Sequence, residues 1–370
     1  MSADGNSADG GAASAAAAAS TGAADPTAAP RGTAHGKVIL FGEHAVVYGV
    51  PALAVGIDRG AWAQVTNANA NAKASVLHVR GWDVTVREDG GDEGPALGRA
   101  FRDVIAATRR EQRAAGVPEI GDVHVEAEAD LPPGGGLGCS AALGVAVARA
   151  LDPSATAESI AARVDAWERV FHGNPSGIDA AVAAMGGCVQ FTRGDGEARA
   201  TIERVRVSEA IHLCIGHSGQ ASSTKSMVES VARIRERRPE TTQKTFDAIH
   251  TLVKNARLAI VDHDLRAIGQ LLDLNQMLLS GLFLSTPEIE QMCATARTAG
   301  ALGAKLTGAG GGGCVVALVG DAARSTEVLA AWKAEGYEGF AATVKPEVHD
   351  VREILQKLHE RVTRATAGSP

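Results

Sequence analysis

The sequence predicts an α+β protein of two domains, and three observations carry that prediction. The chain has 370 residues, enough for two ordinary cores. Short β-branched pieces mixed with helices fill its first half, whereas the second half is mostly helical until strands return near the end. No internal repeat is visible, so the mixture is not a solenoid or propeller. The change of character falls between Val205 and Ser218. This sets the expected divisions at 1–30 for a low-complexity tail, 31–210 for an N-terminal domain and 211–370 for a C-terminal domain.

The first 30 residues are Ala, Gly, Ser, Thr and Asp with two prolines, and no basic residue occurs before Arg31. That composition lacks the positive start and apolar core of a secretory signal and reads as a disordered tail. Order is expected from about Thr33, with two short β-branched runs, Val38 to Phe41 and Ala45 to Tyr48, divided by Gly42-Glu43-His44. Strand-like pieces follow at Ala61 to Thr66, Val76 to Val79 and Val84 to Glu88. Pro95 to Ala115 is read as a helix because Leu97, Phe101, Val104 and Ile105 share one stripe. Val123 to Ala127 is a strand, Ser140 to Leu151 a helix, and Ala157 to Phe171 a helix with Ile160, Val164, Trp167 and Phe171 on its core face. Strands are expected at Cys188 to Thr192, Thr201 to Val207 and Ile211 to Ile215. Helices are expected at Thr224 to Glu236, Thr242 to Val261, His263 to Ser280 and Pro287 to Gly300. Lys305 to Thr307 and Cys314 to Val319 flank a glycine run, and two further helices around one more strand close the chain.

Composition narrows the function. Hydrophobic residues make up 45% and charged residues 21% of the chain, as in a soluble globular protein. A formal charge of −7 argues against nucleic acid or an anionic membrane as the main partner, and no apolar run is long enough to span a bilayer. The five cysteines are scattered without C-x-x-C spacing, which suits a reducing cytoplasm and gives no zinc site.

Four stretches could carry chemistry. LPPGGGLGCSAAL, Leu131 to Leu143, runs from a strand through glycines into a small-residue helix, where free backbone N–H groups favour an anion. It lacks the Gly-Lys-Ser/Thr ending of the usual phosphate loop, and a wide turn with Ser140 as a cap fits its composition equally. In GKVILFGEHAVVYG, Gly36 to Gly49, Lys37, Glu43 and His44 interrupt apolar runs. They are either solvated at a strand end and turn or paired at a site. In ERVFHGNPSGIDAAVAAMGG, Glu168 to Gly187, Asp179 opens an Ala/Val-rich segment as a helix cap or as a placed carboxylate. Glu168 falls in the last turn of its helix, where the macrodipole disfavours negative charge. A bound cation would repair that, and a surface position would remove the problem. In KLTGAGGGGCVVAL, Lys305 to Leu318, the glycines are costly for a mere hairpin and leave a loop open to a ligand.

Taken in order, these stretches resemble the motifs of the galactokinase, homoserine kinase, mevalonate kinase and phosphomevalonate kinase (GHMP) superfamily, from about Gly32 to near the end of the chain. The wording GEHAVV and HGNPSGID is narrower and is similar to the branch that phosphorylates mevalonate. The resemblance implies a ribosomal protein S5 domain 2-like N-terminal domain, a ferredoxin-like C-terminal domain and an active site in the cleft between them. It implies ATP-dependent phosphorylation of the mevalonate 5-hydroxyl with Mg²⁺, in the route to isoprenoids, by a cytoplasmic enzyme. A homodimer stays open. By position, Asp179 matches the catalytic aspartate and Lys37 the lysine paired with it. His44, Glu43 and Thr224 are expected at the acceptor, and Ser140 and Glu168 at the metal. Pro133, Gly134, Gly135, Gly136, Leu137, Gly138, Cys139, Ser140, Gly310 and Gly311 are expected around the nucleotide. Cys139 stands where the family commonly has serine, and the 1–30 segment matches nothing in the family. A sibling with another acceptor and a non-catalytic sensor are the competing readings. The presence of Lys37, Ser140, Glu168 and Asp179 disfavours the sensor.

Overall fold

A computed structural model describes residues 31–67, 73–91, 93–132, 134–172, 177–194, 200–220 and 223–346. The expected tail, Pro133, the Asn174–Ser176 turn and the last expected helix lie outside the described residues.

Two sheets organise the chain. The first contains β1 (Arg31–Phe41), β2 (Ala52–Asn67), β3 (Val76–Val79), β4 (Val84–Arg87), β5 (Val123–Ala129), β6 (Cys188–Thr192) and β7 (Thr201–Val205), in the order β4-β3-β5-β2-β6-β7 with β1 on β2. β2 is the hinge of this sheet. One of its edges pairs with β1, and the other pairs first with β6 and then with β5. Helices α1 (Ala96–Ala114), α2 (Cys139–Leu151), α3 (Ala157–His172) and α4 (Ile178–Met185) belong to this half. α2 is apolar almost all round and runs through the core between β1, β2, α3 and α4, because its alanines admit close neighbours on every side. Its first residues are therefore held by packing rather than left at a surface.

The second sheet, in the order β11-β8-β10-β9, is antiparallel throughout and uses β8 (Ile211–His217), β9 (Gly303–Thr307), β10 (Cys314–Val319) and β11 (Glu338–Val344). Helices α5 (Thr224–Arg237), α6 (Pro239–Val261), α7 (Leu265–Gly281), α8 (Pro287–Thr298) and α9 (Ala322–Ala334) accompany it. Every residue of β9 and β10 is buried. The halves are joined directly. The Thr343 N–H donates to Asp58 Oδ1 at 2.8 Å, and the Arg59 guanidinium lies 4.3 Å over the Phe340 ring. Among the described residues no helix is long and apolar enough to cross a membrane, and all five cysteines are buried and outside any disulfide.

Several elements differ from the sequence reading, beginning with β1, which starts at Arg31 and not at Val38. Ala45–Tyr48 is a 3-10 turn, not a strand: the Gly49 N–H closes on the carbonyls of Ala45 and Val46. Four residues are too few to fix a period. β2 begins nine residues earlier than expected, at Ala52, and runs on through Gly56 and Gly60. Gly60 is a close-approach position, where a Cβ would stand 1.8 Å from the Ala34 carbonyl oxygen across the β1–β2 ladder. β7 stops at Val205 and not at Val207.

Candidate active site

The site forms where the start of α2, the start of α4 and the β9–β10 connection meet β1. Lys37 sits in β1, between the exposed and the fully buried ends of that strand. Its backbone N–H donates to Leu137 O at 2.8 Å and its Nζ donates to Gly136 O at 3.2 Å, so one residue ties β1 to the glycine loop twice. The same Nζ lies 2.9 Å from Asp179 Oδ1. That contact is an ion pair without hydrogen-bond geometry, and the oxygen has no formal hydrogen-bond partner among the described residues. The Asp179 side chain is nevertheless 32% exposed while that of Lys37 is 5% exposed, so the pair opens to solvent on the carboxylate side.

Asp179 is not the helix cap. Gly177 holds that position, and Asp179 lies inside the first turn of α4, where the helix dipole favours its charge. Opposite it, α2 begins after Gly138 with no side-chain cap. Ala142 donates to Gly138 O at 2.9 Å, which leaves the Cys139, Ser140 and Ala141 amides without intrahelical acceptors. Cys139 is buried, its Sγ is 3.7 Å from Leu131 O, and burial pushes the thiol up to about 11. The second glycine loop faces the first: a Cβ on Gly136 would stand 3.8 Å from the Gly308 Cα.

Ser140 and Glu168 are in contact, the hydroxyl donating to Glu168 Oε1 at 2.7 Å. Glu168 is buried, not a solvated surface residue, and its other oxygen is 3.7 Å from His172 Nε2. Burial first, and then the nearby Asp179 charge, push its carboxyl up to about 7 against the opposing pull of Ser140 and Lys37.

Glu43 and His44 turn inward. Glu43 forms a sealed ion pair with Lys305, the two side chains being 1% and 0% exposed, and the Asn275 amide donates to its second oxygen at 3.3 Å. Both carboxylate oxygens are therefore engaged within the protein, and the acceptor contact expected of Glu43 has no open face in this geometry. The His44 Nε2–H donates to the Ala309 carbonyl at 2.7 Å, which leaves Nδ1 as the acceptor. Burial holds the ring below the usual histidine range. Thr224 is exposed at the first residue of α5, one turn before Met227, which packs on Gly311. The Gly311 N–H is already donated to Leu284 O at 2.7 Å, so this glycine offers space, not a donor.

Sequence reasoning assigned no part to Lys305, Asn275 or Thr307. The Thr307 hydroxyl accepts from Ile39 N at 3.1 Å and donates to Ile39 O at 3.0 Å, stitching β9 to β1. The usable signal was Lys305 itself, a charge in the middle of a short strand whose every residue is buried.

Comparison with known families identifies the fold. Residues 101–187 match the GHMP kinases N terminal domain and residues 255–338 match the GHMP kinases C terminal family. The fold is thus that of the GHMP kinases. A mevalonate kinase of Thermococcus onnurineus is 34% identical over 341 residues, covering 87% of this chain and 98% of the relative. One of Pyrococcus abyssi is 33% identical over 340 residues, covering 88% and 98%. The solved L. major mevalonate kinase in complex with R-mevalonate superposes with a TM-score of 0.72 at 27% identity, covering 86% of this chain and 96% of that one. The chain belongs to the mevalonate kinase family of the GHMP kinases.

Proposed function

We propose that this chain transfers the γ-phosphoryl group of ATP to the 5-hydroxyl of mevalonate, giving 5-phosphomevalonate and ADP in the route to isoprenoids. One observation carries the reading beyond family membership: the half-open Lys37–Asp179 pair stands beside uncapped amides at the start of α2. A carboxylate and an ammonium next to an anion site are what phosphorylation of an alcohol requires.

In this reading the cleft lies between an N-terminal unit, 31–210, and a C-terminal unit, 211–370. The amides at 139–141 and the loop 134–138 hold the nucleotide phosphates. Asp179 accepts the proton of the acceptor hydroxyl as that oxygen bonds to the γ-phosphorus. The bond from phosphorus to the bridging oxygen breaks, and ADP leaves with its electron pair. Lys37, held by Gly136 and Asp179, keeps its remaining protons for charge developing on the transferred group. His44 and Thr224 flank the acceptor side.

The family implies Mg²⁺, and the donors present fit it in one way. No cluster of three or more His, Cys, Asp or Glu suited to a metal exists among the described residues. Ser140 and Glu168 therefore supply only two ligands, and phosphate oxygens must supply others. Glu168 is a buried carboxyl whose Oε1 accepts from Ser140 and whose Oε2 lies 3.7 Å from His172 Nε2, which suits a cation's neighbour. When bound, Mg²⁺ neutralises phosphate charge.

The test is ADP release with mevalonate, phosphomevalonate, homoserine and galactose offered separately. Turnover on mevalonate alone is expected. Turnover on another acceptor with none on mevalonate would replace the substrate while leaving the kinase assignment.

A further inference from the structure

Ser140 is itself held by a group one layer deeper. Trp167 is fully buried in α3, and its indole Nε1–H donates to Ser140 Oγ at 3.2 Å. That oxygen gives its own proton to Glu168 Oε1 at 2.7 Å. A serine hydroxyl has one proton and two lone pairs. With the proton on Glu168 and one lone pair under the indole, a single lone pair is left, in a fixed direction. Adjacent residues of one helix thus supply both restraints.

A second observation shows that α2 is shaped around this indole. Gly144 lies one turn beyond Ser140 in a helix otherwise built of alanine, valine and leucine on that stretch. Glycine inside a helix is destabilising relative to alanine. Here a Cβ would stand 3.0 Å from the Trp167 ring carbons, so only glycine admits the indole beside Ser140 without displacement.

We propose that Trp167 is a positioning residue of the metal–nucleotide site: its indole N–H orients the Ser140 hydroxyl so that the remaining lone pair is presented to the metal-bound nucleotide. The inference rests on the reading of Ser140 given above. A tryptophan that merely fills the core would be indifferent to what occupies position 140, and this difference is measurable.

The experiment is calorimetric titration of the full chain with a non-hydrolysable ATP analogue, with and without Mg²⁺. The proteins are the wild type, Trp167→Phe, Ser140→Ala and the double variant. Loss of one neutral hydrogen bond should weaken the Mg²⁺-dependent affinity of Trp167→Phe by about three- to tenfold, with metal-free affinity unchanged. In the Ser140→Ala background the same change should have an effect below about twofold. Equal losses in both backgrounds, or with and without Mg²⁺, would make the indole core filler and overturn the proposal. Because phenylalanine leaves a void, the benzothienyl analogue of tryptophan at position 167 serves as the second variant. It keeps the volume, replaces N–H by sulfur, and should reproduce the loss; wild-type affinity from it would also overturn the proposal. If Ser140→Ala leaves the Mg²⁺-dependent affinity intact, the underlying reading fails as well. If Ser140→Ala weakens it and neither Trp167 variant does, only the positioning role fails.

Discussion

Two lysine–carboxylate pairs lie near one another in this protein and have opposite designs. Lys37–Asp179 joins β1 to the start of α4, and its carboxylate is 32% exposed. Lys305–Glu43 joins β9 to the turn after β1, and its members are 0% and 1% exposed. The first leaves one carboxylate face open and uses few of the lysine's protons. The second is closed off by Asn275 and by the Ile39 carbonyl, 3.5 Å from Lys305 Nζ. A charge that must meet a substrate has to keep hydrogen-bonding capacity in reserve, whereas a buried structural charge must be satisfied entirely by the protein. In the proposed mechanism, the degree of closure separates the reacting pair from the assembling one.

Removing charge from the two pairs should break different properties. Asp179→Asn keeps the shape but cannot accept the hydroxyl proton, so single-turnover phosphorylation should fall by roughly 10²–10⁴-fold with nucleotide affinity retained. Lys37→Met should also depress turnover, and the two losses should be less than additive, since the pair acts as a unit. Lys305→Met leaves a buried carboxylate unpaired and should cost about 3–5 kcal/mol in denaturant unfolding.

A smaller effect sharpens the contrast through pH. The Glu168 carboxyl is raised from 4.5 to about 7 in the folded protein. Between these values the unfolded chain has lost the proton while the folded chain keeps it, so rising pH favours unfolding across that window. Without metal or nucleotide, this group's contribution should be fully present below about pH 4.5 and lost by about pH 7, on the order of 1–3 kcal/mol. Glu168→Gln should flatten that part of the stability profile, and a steep profile surviving in Glu168→Gln would assign it elsewhere. The smallest effect belongs to Cys139. Its thiol is buried, pushed up to about 11, and contributes no oxygen to the site. Cys139→Ser should change stability and turnover by less than about 0.5 kcal/mol, and the native thiol should resist alkylation at neutral pH.

Much of the site was legible because its parts are local. Lys37, Ser140 and Asp179 each interrupt an apolar or glycine-rich run, and Glu168 carries a negative charge in the last turn of a helix; local patterns register both features. The helices were legible from their stripes, as with Leu97, Phe101, Val104 and Ile105 of α1, all buried. What escaped depends on partners distant in sequence. Glu43 was expected at the acceptor from the family resemblance of its motif, yet Lys305, 262 positions away, closes it off. Likewise Gly60 looks like a strand break until the Ala34 carbonyl across the ladder is seen. Trp167 reads as a core residue and is one; its hydrogen bond to Ser140 appears only when α2 and α3 are packed.

The most direct test of the contrast is a pair of double-mutant cycles read by denaturant unfolding: Glu43→Gln with Lys305→Met, and Asp179→Asn with Lys37→Met. A sealed structural pair should show a coupling above about 2 kcal/mol, because the double variant removes both buried charges and recovers most of what either single change loses. The open pair should couple by less than about 1 kcal/mol in stability, its interaction being expressed in turnover instead. Equal couplings, or the larger one at Lys37–Asp179, would contradict the division between an assembling pair and a reacting pair.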